Sequence, residues 1–215
     1  MTTSAPVVVS RSTLKRLPLY LHVLEDLQRQ GREYASCTML AGKFDFAPIL
    51  VRKDLEVTGA KGTAKIGFKV VDLIRDIKEF LGWHNVQDAF LVGAGNLGKA
   101  LLGYKDFELY GLNIVAVFDA DPRKVGTRVF NKEVLPMGRM PGLAKRMHIN
   151  IGIVTVSADG AQAVVDAMVI SGIRAIWNFA PAPLSIPDGI ILENARLTQS
   201  LAVLSNNLKR TLQSE

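Results

Sequence analysis

A glycine-rich segment, FLVGAGNLGKA at positions 90–100, constrains this chain more than any other feature. Gly93, Gly95 and Gly98 have the spacing G-x-G-x-x-G, with a strand-like apolar run before them and a helix-like run after them. In such a turn the first glycine permits a tight bend, the second lets the main chain approach a pyrophosphate, and the third lets helix pack on strand. The N–H groups at the start of the helix then face that anion. The segment therefore predicts the first strand–turn–helix unit of a dinucleotide-binding domain.

An acidic residue follows at the distance that this motif requires. Asp119 ends the strand-like run NIVAVFD and lies 21 residues beyond Gly98. A carboxylate at this place accepts hydrogen bonds from both ribose hydroxyls and repels a 2′-phosphate, which favours NAD(H) over NADP(H). The alternative is an aspartate that only forms the turn after its strand.

Strand and helix patterns continue to alternate after the turn. Residues 151–157 (IGIVTVS) and 174–181 (RAIWNFAP) have the pattern of buried strands, and a helix pattern between them ends at Gly172. This alternation predicts an α/β domain of the Rossmann type with a doubly wound parallel sheet. Ligands of such sheets lie beyond the carboxyl ends of the strands, although each residue there is equally compatible with an ordinary strand-to-loop position. The expected cofactor-binding residues are Gly93, Ala94, Gly95, Asn96, Leu97, Gly98, Asp119, Val156, Ser157, Asn178, Phe179 and Ala180.

Residues 1–85 precede this domain and have a different pattern. They carry 13 Lys or Arg and 9 Asp or Glu, and leucines recur in them at helical spacing from Leu14 to Leu27. Ser36 is placed to cap a second, short helix, and Pro48 is placed to begin a third, PILVRKDLEVTG. In the third helix we expect Ile49 and Leu55 to pack inward, and the two adjacent cations of VRKDL to project outward.

Those two cations are Arg52 and Lys53, and the pattern around them is typical of a recognition helix that enters the major groove of DNA. The glycine-rich segment 59–70 (GAKGTAKIGFKV) then alternates like a two-stranded wing. Lys61 and Lys65 lie there in a stretch without acidic residues, where they can reach backbone phosphates. The sequence thus predicts an N-terminal winged-helix domain that binds double-stranded DNA. The alternative is a helical cap with a solvated lysine face.

The rest of the composition excludes several classes of protein. One cysteine allows no internal disulfide, and no Cys/His cluster has the spacing of a metal site. No uncharged apolar stretch approaches the roughly 18 residues that would span a bilayer, and the N-terminal apolar run is too short for a signal peptide. We therefore expect a cytoplasmic protein that binds no membrane and no metal.

The last segment has a helical apolar face. That face either covers the chain's own sheet or binds a second copy of the chain. Its residues are Leu197, Leu201, Leu204, Leu208 and Leu212. The expected organisation is a winged-helix domain over 1–85, a Rossmann domain over 86–195 and a dimerisation helix over 196–215.

The order of these motifs resembles that of the Rex family of redox-sensing transcriptional repressors over nearly the whole chain. The stretches that carry the resemblance are VRKDL with the glycine wing, VGAGNLGKAL, FDADPRKVG and WNFAP. The resemblance implies a bacterial homodimer that binds a pseudo-palindromic operator and senses the NADH/NAD⁺ balance, with NADH favouring release from DNA. It also implies a C-terminal helix that is exchanged between subunits.

The family's site residues map onto this sequence with two departures. Arg52, Lys53, Lys61 and Lys65 fall on the DNA-reading positions, and the glycines and Asp119 fall on the cofactor site. Tyr104 matches the tyrosine that follows the Rossmann helix. The family pairs an arginine late in the first helix with an aspartate before the exchanged helix, and His22 and Arg196 stand at these positions here. Leu197 stands where the family has a phenylalanine near the nicotinamide.

Three other protein classes share parts of this pattern. A small NAD(H)-dependent oxidoreductase needs a positioned acid or base, and the Tyr-x-x-x-Lys arrangement of short-chain reductases is absent. A CoA- or nucleotide-binding module with a helical cap has a similar turn but no use for an acid at Asp119. Transcription factors of the DeoR type share the R-[KR]-D-L helix but follow it with a sugar-phosphate domain.

Overall fold

The computed structural model describes residues 9–213, and they form two compact units divided between Asn85 and Val86. In the first unit the helices are α1 (Arg11–Arg29), α2 (Cys37–Gly42), α3 (Pro48–Glu56) and α4 (Val70–Phe80). Two short antiparallel strands, β1 (Tyr34–Ala35) and β2 (Phe68–Lys69), pair within it. The hydroxyl oxygens of Ser10 and Ser36 accept hydrogen bonds from the main chain and cap α1 and α2.

The core of the first unit is apolar, with one charged exception. Leu17, Leu21, Leu24 and Leu27 of α1 are buried, as their spacing predicts, and Tyr20 is buried with them. Leu14, in the first turn, is 40% exposed, so the apolar face predicted from Leu14 is buried only from Leu17 onward. Within α3 the inward face differs from the prediction. Ile49 is 57% exposed, so its predicted inward orientation is wrong, and Val51, Asp54 and Leu55 are buried. The three buried positions follow the i, i+3, i+4 spacing of a helix face that begins at Val51. This face contains Asp54, which a search for apolar residues alone does not identify.

The segment predicted as a wing contains less strand than expected. Its tip is closed by one isolated antiparallel bridge between Thr63 and Gly67, and its returning arm is β2, which pairs with β1. Gly67 has a φ of +106°, and a Cβ there would lie only 2.4 Å from the carbonyl oxygen of Ala35 and 3.2 Å from the Cα of Ser36. This close approach explains why glycine is needed at that point.

The second unit is built on a parallel sheet. Its strands are β3 (Gln87–Val92), β4 (Leu112–Asp119), β5 (Arg128–Val129), β6 (Lys132–Pro136), β7 (Ile151–Val154), β8 (Ala175–Asn178) and β9 (Ile191–Asn194). Its helices are α5 (Asn96–Leu102), α6 (Met140–Met147), α7 (Ala158–Ile170) and α8 (Leu197–Leu212), with 3-10 helices at Lys105–Tyr110 and Met137–Arg139.

The strand order is β5-β6-β4-β3-β7-β8-β9, and every neighbouring pair is parallel except the β5–β6 hairpin. When the six parallel strands of the described chain are renumbered in chain order with β3 as the first, their order across the sheet is 3-2-1-4-5-6. This is the strand order of the dinucleotide-binding fold. The predicted α/β class with a doubly wound parallel sheet is therefore confirmed. The order reverses between β3 and β7, so the carboxyl ends of these two strands border the crevice in which such folds bind ligands.

The helix α8 forms where the leucine spacing predicts it. Every described side chain from Thr198 to Gln213 is exposed, including Leu201, Leu204, Leu208 and Leu212 at 56–65%. The alternative that this face covers the chain's own sheet is therefore wrong for the described residues. Leu197 begins the helix, but its side chain lies outside the described part of the structure. No helix among residues 9–213 is long and apolar enough to cross a membrane.

Candidate nucleotide and nucleic-acid sites

The glycine turn joins β3 to α5, and its three glycines meet different surroundings. Gly93 has a φ of +110°, and a Cβ on it would lie 2.8 Å from the main chain of Thr155. A Cβ on Gly98 would collide with the carbonyl oxygen of Gly93. At Gly95 a Cβ would meet no protein atom within 4 Å. The protein itself thus requires Gly93 and Gly98, whereas Gly95 keeps open space beside the main chain, as a bound pyrophosphate needs.

Thr155, which follows β7, holds the turn from the other side of the crevice. Its hydroxyl lies 3.0 Å from the carbonyl oxygen of Val92 and 2.8 Å from that of Gly93, and donates toward both. Sequence reasoning did not select this residue. Its signal was its place directly after a buried strand, at the edge where the carboxyl ends of parallel strands meet.

Asp119 ends β4, and 7% of the residue is exposed. Its Oδ2 accepts a hydrogen bond from the N–H of Ala94 at 2.8 Å and one from Lys124 Nζ at 3.0 Å, and its Oδ1 accepts the N–H of Asp121 at 2.9 Å. Burial alone would raise the pKa of this carboxyl, but these three donors outweigh burial and lower it. The ionised carboxylate both forms the turn considered as an alternative and links β4 to the glycine turn.

A cavity of about 670 Å³ lies on one side of the glycine turn. Five of the expected cofactor-binding residues line it, and Lys124, which the sequence analysis missed, adds a cation. Those five residues are Gly93, Gly95, Asp119, Val156 and Ser157.

A second cavity of about 560 Å³ lies beside the start of α5, at Leu97. Phe179, Ala180 and the proline-rich stretch that follows them line it, together with Arg196. Asn178 stands apart from the lining because it is 2% exposed: its amide bonds with the N–H and carbonyl of Ala180 and with Asn194. Asn178 therefore does not line the cavity itself but holds the main chain of Ala180, which does.

The remaining turn residues take other places. Ala94 is buried and donates its N–H to Asp119, whereas Asn96 is exposed at the first position of α5. Gly95 lines the first cavity, and Leu97, two residues further along the chain, lines the second.

The expected DNA-reading cations are exposed on the first unit. Arg52 and Lys53 lie on the outward face of α3, and Lys61 and Lys65 lie on the segment before β2. Arg52 Nε lies 3.1 Å from Glu56 Oε1, with both side chains more than half exposed. Such a surface pair contributes little to stability, so the guanidinium is available to another anion.

The residues at the family's switch positions are also exposed. His22 Nε2 lies 4.0 Å from Asp26 Oδ2 on α1, and Arg196 is the N-cap residue of α8. Tyr104 is 49% exposed, and the nearby charge of Asp106 raises the pKa of its hydroxyl. The Tyr104 ring packs edge-on against Phe107 at 4.8 Å.

Comparisons with known proteins agree with this division of sites. Residues 84–182 match the family described as CoA binding domain, and residues 8–56 match the one described as putative DNA-binding protein N-terminus. The redox-sensing transcriptional repressor Rex of Treponema denticola is 40% identical over 197 residues, which cover 92% of this chain and 94% of the relative.

Two solved structures share the fold at full length. RSP in complex with beta-NAD+ and operator DNA has a TM-score of 0.87 at 34% identity, covering 97% of this chain and 99% of that one. RSP in complex with beta-NADH has a TM-score of 0.86 at 34% identity, covering 96% and 97%. RSP is itself described as a Rex-family repressor. The chain therefore belongs to the Rex family of redox-sensing transcriptional repressors.

Proposed function

We propose that this protein is a homodimeric DNA-binding repressor that senses the NADH/NAD⁺ ratio through its second unit, with NADH favouring release from operator DNA. The observation that carries the proposal is the open space at Gly95, which lines one of two cavities beside the glycine turn that together suit a dinucleotide. The solved relative binds NAD⁺ with operator DNA, and it also binds NADH.

The residues present fit NAD(H). The main chain at Gly95 receives the pyrophosphate, and Asp119 accepts the hydroxyls of the adenosine ribose in the larger cavity. The nicotinamide end then occupies the second cavity, against Phe179 and Ala180. When bound, the nicotinamide supplies the redox state that the protein reads. The buried, ionised carboxylate of Asp119 also disfavours a 2′-phosphate, so NAD(H) is preferred over NADP(H).

The second cavity does not suit hydride-transfer catalysis. Among the described residues that line it, Arg196 is the one with a charged side chain, and a guanidinium offers only hydrogen-bond donors and no acceptor for a proton. General acid–base catalysis needs a group that exchanges a proton near neutral pH. This composition supports a sensor in preference to an oxidoreductase.

DNA binding is assigned to the first unit. Arg52 and Lys53 on α3 contact base edges in the major groove, and Lys61 and Lys65 contact phosphates. The exposed leucine face of α8 is assigned to a second copy of the chain, so that two α3 helices meet successive major grooves of a pseudo-palindromic operator. The site of action is the bacterial cytoplasm, where operator DNA and the nicotinamide pool meet.

A selection followed by a titration tests this function. Full-length protein with NAD⁺ enriches a duplex from a random-sequence pool, and the affinity for that duplex is then measured with NAD⁺ and with NADH. We expect tighter binding with NAD⁺. Failure to enrich any sequence contradicts DNA reading. Equal affinities with NAD⁺ and with NADH contradict the redox switch, which in this chain must work without the family's arginine–aspartate ion pair, because His22 and Arg196 stand at those positions. Coenzyme A is the competitor control, because displacement of bound NADH by coenzyme A contradicts the cofactor assignment.

A further inference from the structure

Asp54 is a buried charge within the helix that we assign to DNA reading. It is 2% exposed, although it directly follows the exposed residues Arg52 and Lys53 in α3.

The carboxylate accepts four hydrogen bonds, all from side chains of α1. Thr13 Oγ1 and Arg16 Nη2 donate to Oδ1 at 2.9 and 2.7 Å, and Arg16 Nε and Tyr20 Oη donate to Oδ2 at 2.6 and 2.8 Å. The two bonds from Arg16 form the bidentate pairing that fixes a guanidinium and a carboxylate in one plane. All four acceptor directions of Asp54 are therefore used, and each is aimed at α1.

Apolar contacts alone would orient α3 only loosely. The helix has nine residues, and its buried apolar side chains are Val51 and Leu55. Hydrophobic burial is non-directional, so two such contacts permit rotation and sliding at little cost. Turning α3 by one residue moves each side chain by about 100° and would leave the donors of α1 facing another side chain. A buried carboxylate with four directional bonds excludes that displacement, because unpaired buried polar groups are costly.

We propose that Asp54 is a positioning residue that sets the rotation of α3 on α1, so that Arg52 and Lys53 present their cationic groups to the bases in register. This inference rests on the proposed function, since it concerns how that function reads DNA. A buried ion pair often contributes little net stability compared with apolar packing, so the benefit of this one is orientation. The expected consequence of its loss is poorer discrimination between DNA sequences.

The test compares specific with non-specific DNA affinity in full-length variants. The probes are the duplex enriched by the wild-type protein and a scrambled duplex of the same length. Asp54→Asn keeps the shape of the side chain but loses its charge and half of its acceptor capacity. We expect the ratio of the two affinities to fall about ten-fold or more, as when one bidentate hydrogen-bond pair to a base is removed. Binding to the scrambled duplex and to NADH should remain within about two-fold, because the cations that meet phosphates stay exposed.

Two further variants separate positioning from folding. Asp72→Asn makes the same chemical change on α4, where the Asp72 side chain is 46% exposed and pairs with Arg75, and should leave the ratio unchanged. Tyr20→Phe removes one of the four donors without an unpaired amide, and should lower the ratio by an intermediate factor. If Asp54→Asn does not fold, Tyr20→Phe decides. A folded Asp54→Asn or Tyr20→Phe protein that keeps the wild-type ratio overturns the inference. If instead the wild-type protein enriches no duplex, it is the proposed function that fails.

Discussion

Lys124 Nζ lies 3.0 Å from Oδ2 of Asp119, the same oxygen that accepts the N–H of Ala94 from the glycine turn. The carboxylate is thus held on one side by rigid main chain and on the other by a long side chain that is 40% exposed. A ribose hydroxyl that approaches Asp119 competes with the lysine and leaves the main-chain bond in place. If Asp119 holds the ribose as proposed, Lys124 lies next to the 2′ position, with its charge neutralised by Asp119.

Replacing Asp119 should change both the affinity and the selectivity of the cofactor site. Asp119→Ala should weaken NADH binding by about 1–3 kcal/mol, since this variant cannot accept the two charge-assisted hydrogen bonds from the ribose. Asp119→Ser should in addition raise the affinity for NADPH relative to NADH, because Lys124 then has no counter-charge and can meet a 2′-phosphate. Calorimetric titration with each dinucleotide measures both effects.

The control for this prediction is a second substitution at the same site. In Asp119→Ser/Lys124→Ala the gain in NADPH affinity should disappear, because the cation that produces it is gone. An unaltered dissociation constant for NADH in Asp119→Ala would rule out the ribose contact.

Two glycines of the turn, Gly95 and Gly98, should respond differently to an added methyl group. Gly95→Ala should cost about 1 kcal/mol or less in the free energy of unfolding, since its Cβ meets no protein atom within 4 Å. The same methyl group should strongly weaken NADH binding, because it occupies the space through which a pyrophosphate approaches. Gly98→Ala should instead destabilise the fold by about 1–3 kcal/mol, because its Cβ meets the carbonyl of Gly93. Thermal unfolding and NADH titration of each variant separate the two effects, and a Gly95→Ala protein with normal NADH affinity would contradict the position given to the dinucleotide.

The cations of the first unit should divide into two groups by their salt dependence. Replacing both Arg52 and Lys53 by alanine should abolish the preference for the selected duplex and leave NADH affinity intact. Alanine at Lys61 and Lys65 should weaken binding to all duplexes alike, and should reduce the slope of log affinity against log salt by about 1 for each lysine that no longer meets a phosphate. Gel-shift titration over a range of salt concentrations distinguishes these outcomes. Unchanged affinity for the selected duplex in the Arg52 and Lys53 variant would refute the assignment of α3.

Asp54 should also make the stability of the first unit depend on pH. Burial would raise the pKa of its carboxyl, but the hydrogen bonds from Arg16, Tyr20 and Thr13 lower it below the ordinary value of 3.8. A group with a lowered folded-state pKa stabilises the protein above its unfolded-state pKa, and this contribution disappears as the pH falls through the folded-state pKa. The difference in unfolding free energy between wild type and Asp54→Asn should therefore be largest near neutral pH and shrink in acid. Denaturant unfolding at several pH values checks this, and a difference that is independent of pH would contradict an ionised, stabilised Asp54.

Much of the second unit was predictable because its signals are local. The strand before Gly93, the acid at Asp119 and the alternation of strands and helices each follow from a short stretch of residues. The parallel arrangement of the strands follows from that alternation, whereas their order in the sheet comes from the structure. The leucine spacing of α8 likewise predicted the helix and its apolar face. Periodicity identifies which residues share a face, and this is the property that secondary structure imposes on sequence.

What periodicity does not contain is the partner that each face meets. Ile49 continues an apolar pattern but is exposed, while the charged Asp54 is buried because its donors come from a helix some forty positions earlier. Thr155 meets the carbonyl of Gly93 across more than sixty positions.

By itself, then, the sequence determined the helices and strands with clear periodicity, among them α1, β3, β4, β7, β8 and α8, together with the glycine spacing and the acid at the end of β4. The tertiary structure decided which glycine the protein needs and which one leaves room for a ligand. It also decided that Lys124 neutralises Asp119, and that a carboxylate beside the outward cations of α3 faces inward. The physical reason is that secondary structure depends on neighbouring residues, whereas hydrogen bonds and steric contacts between distant segments exist only once the chain has folded.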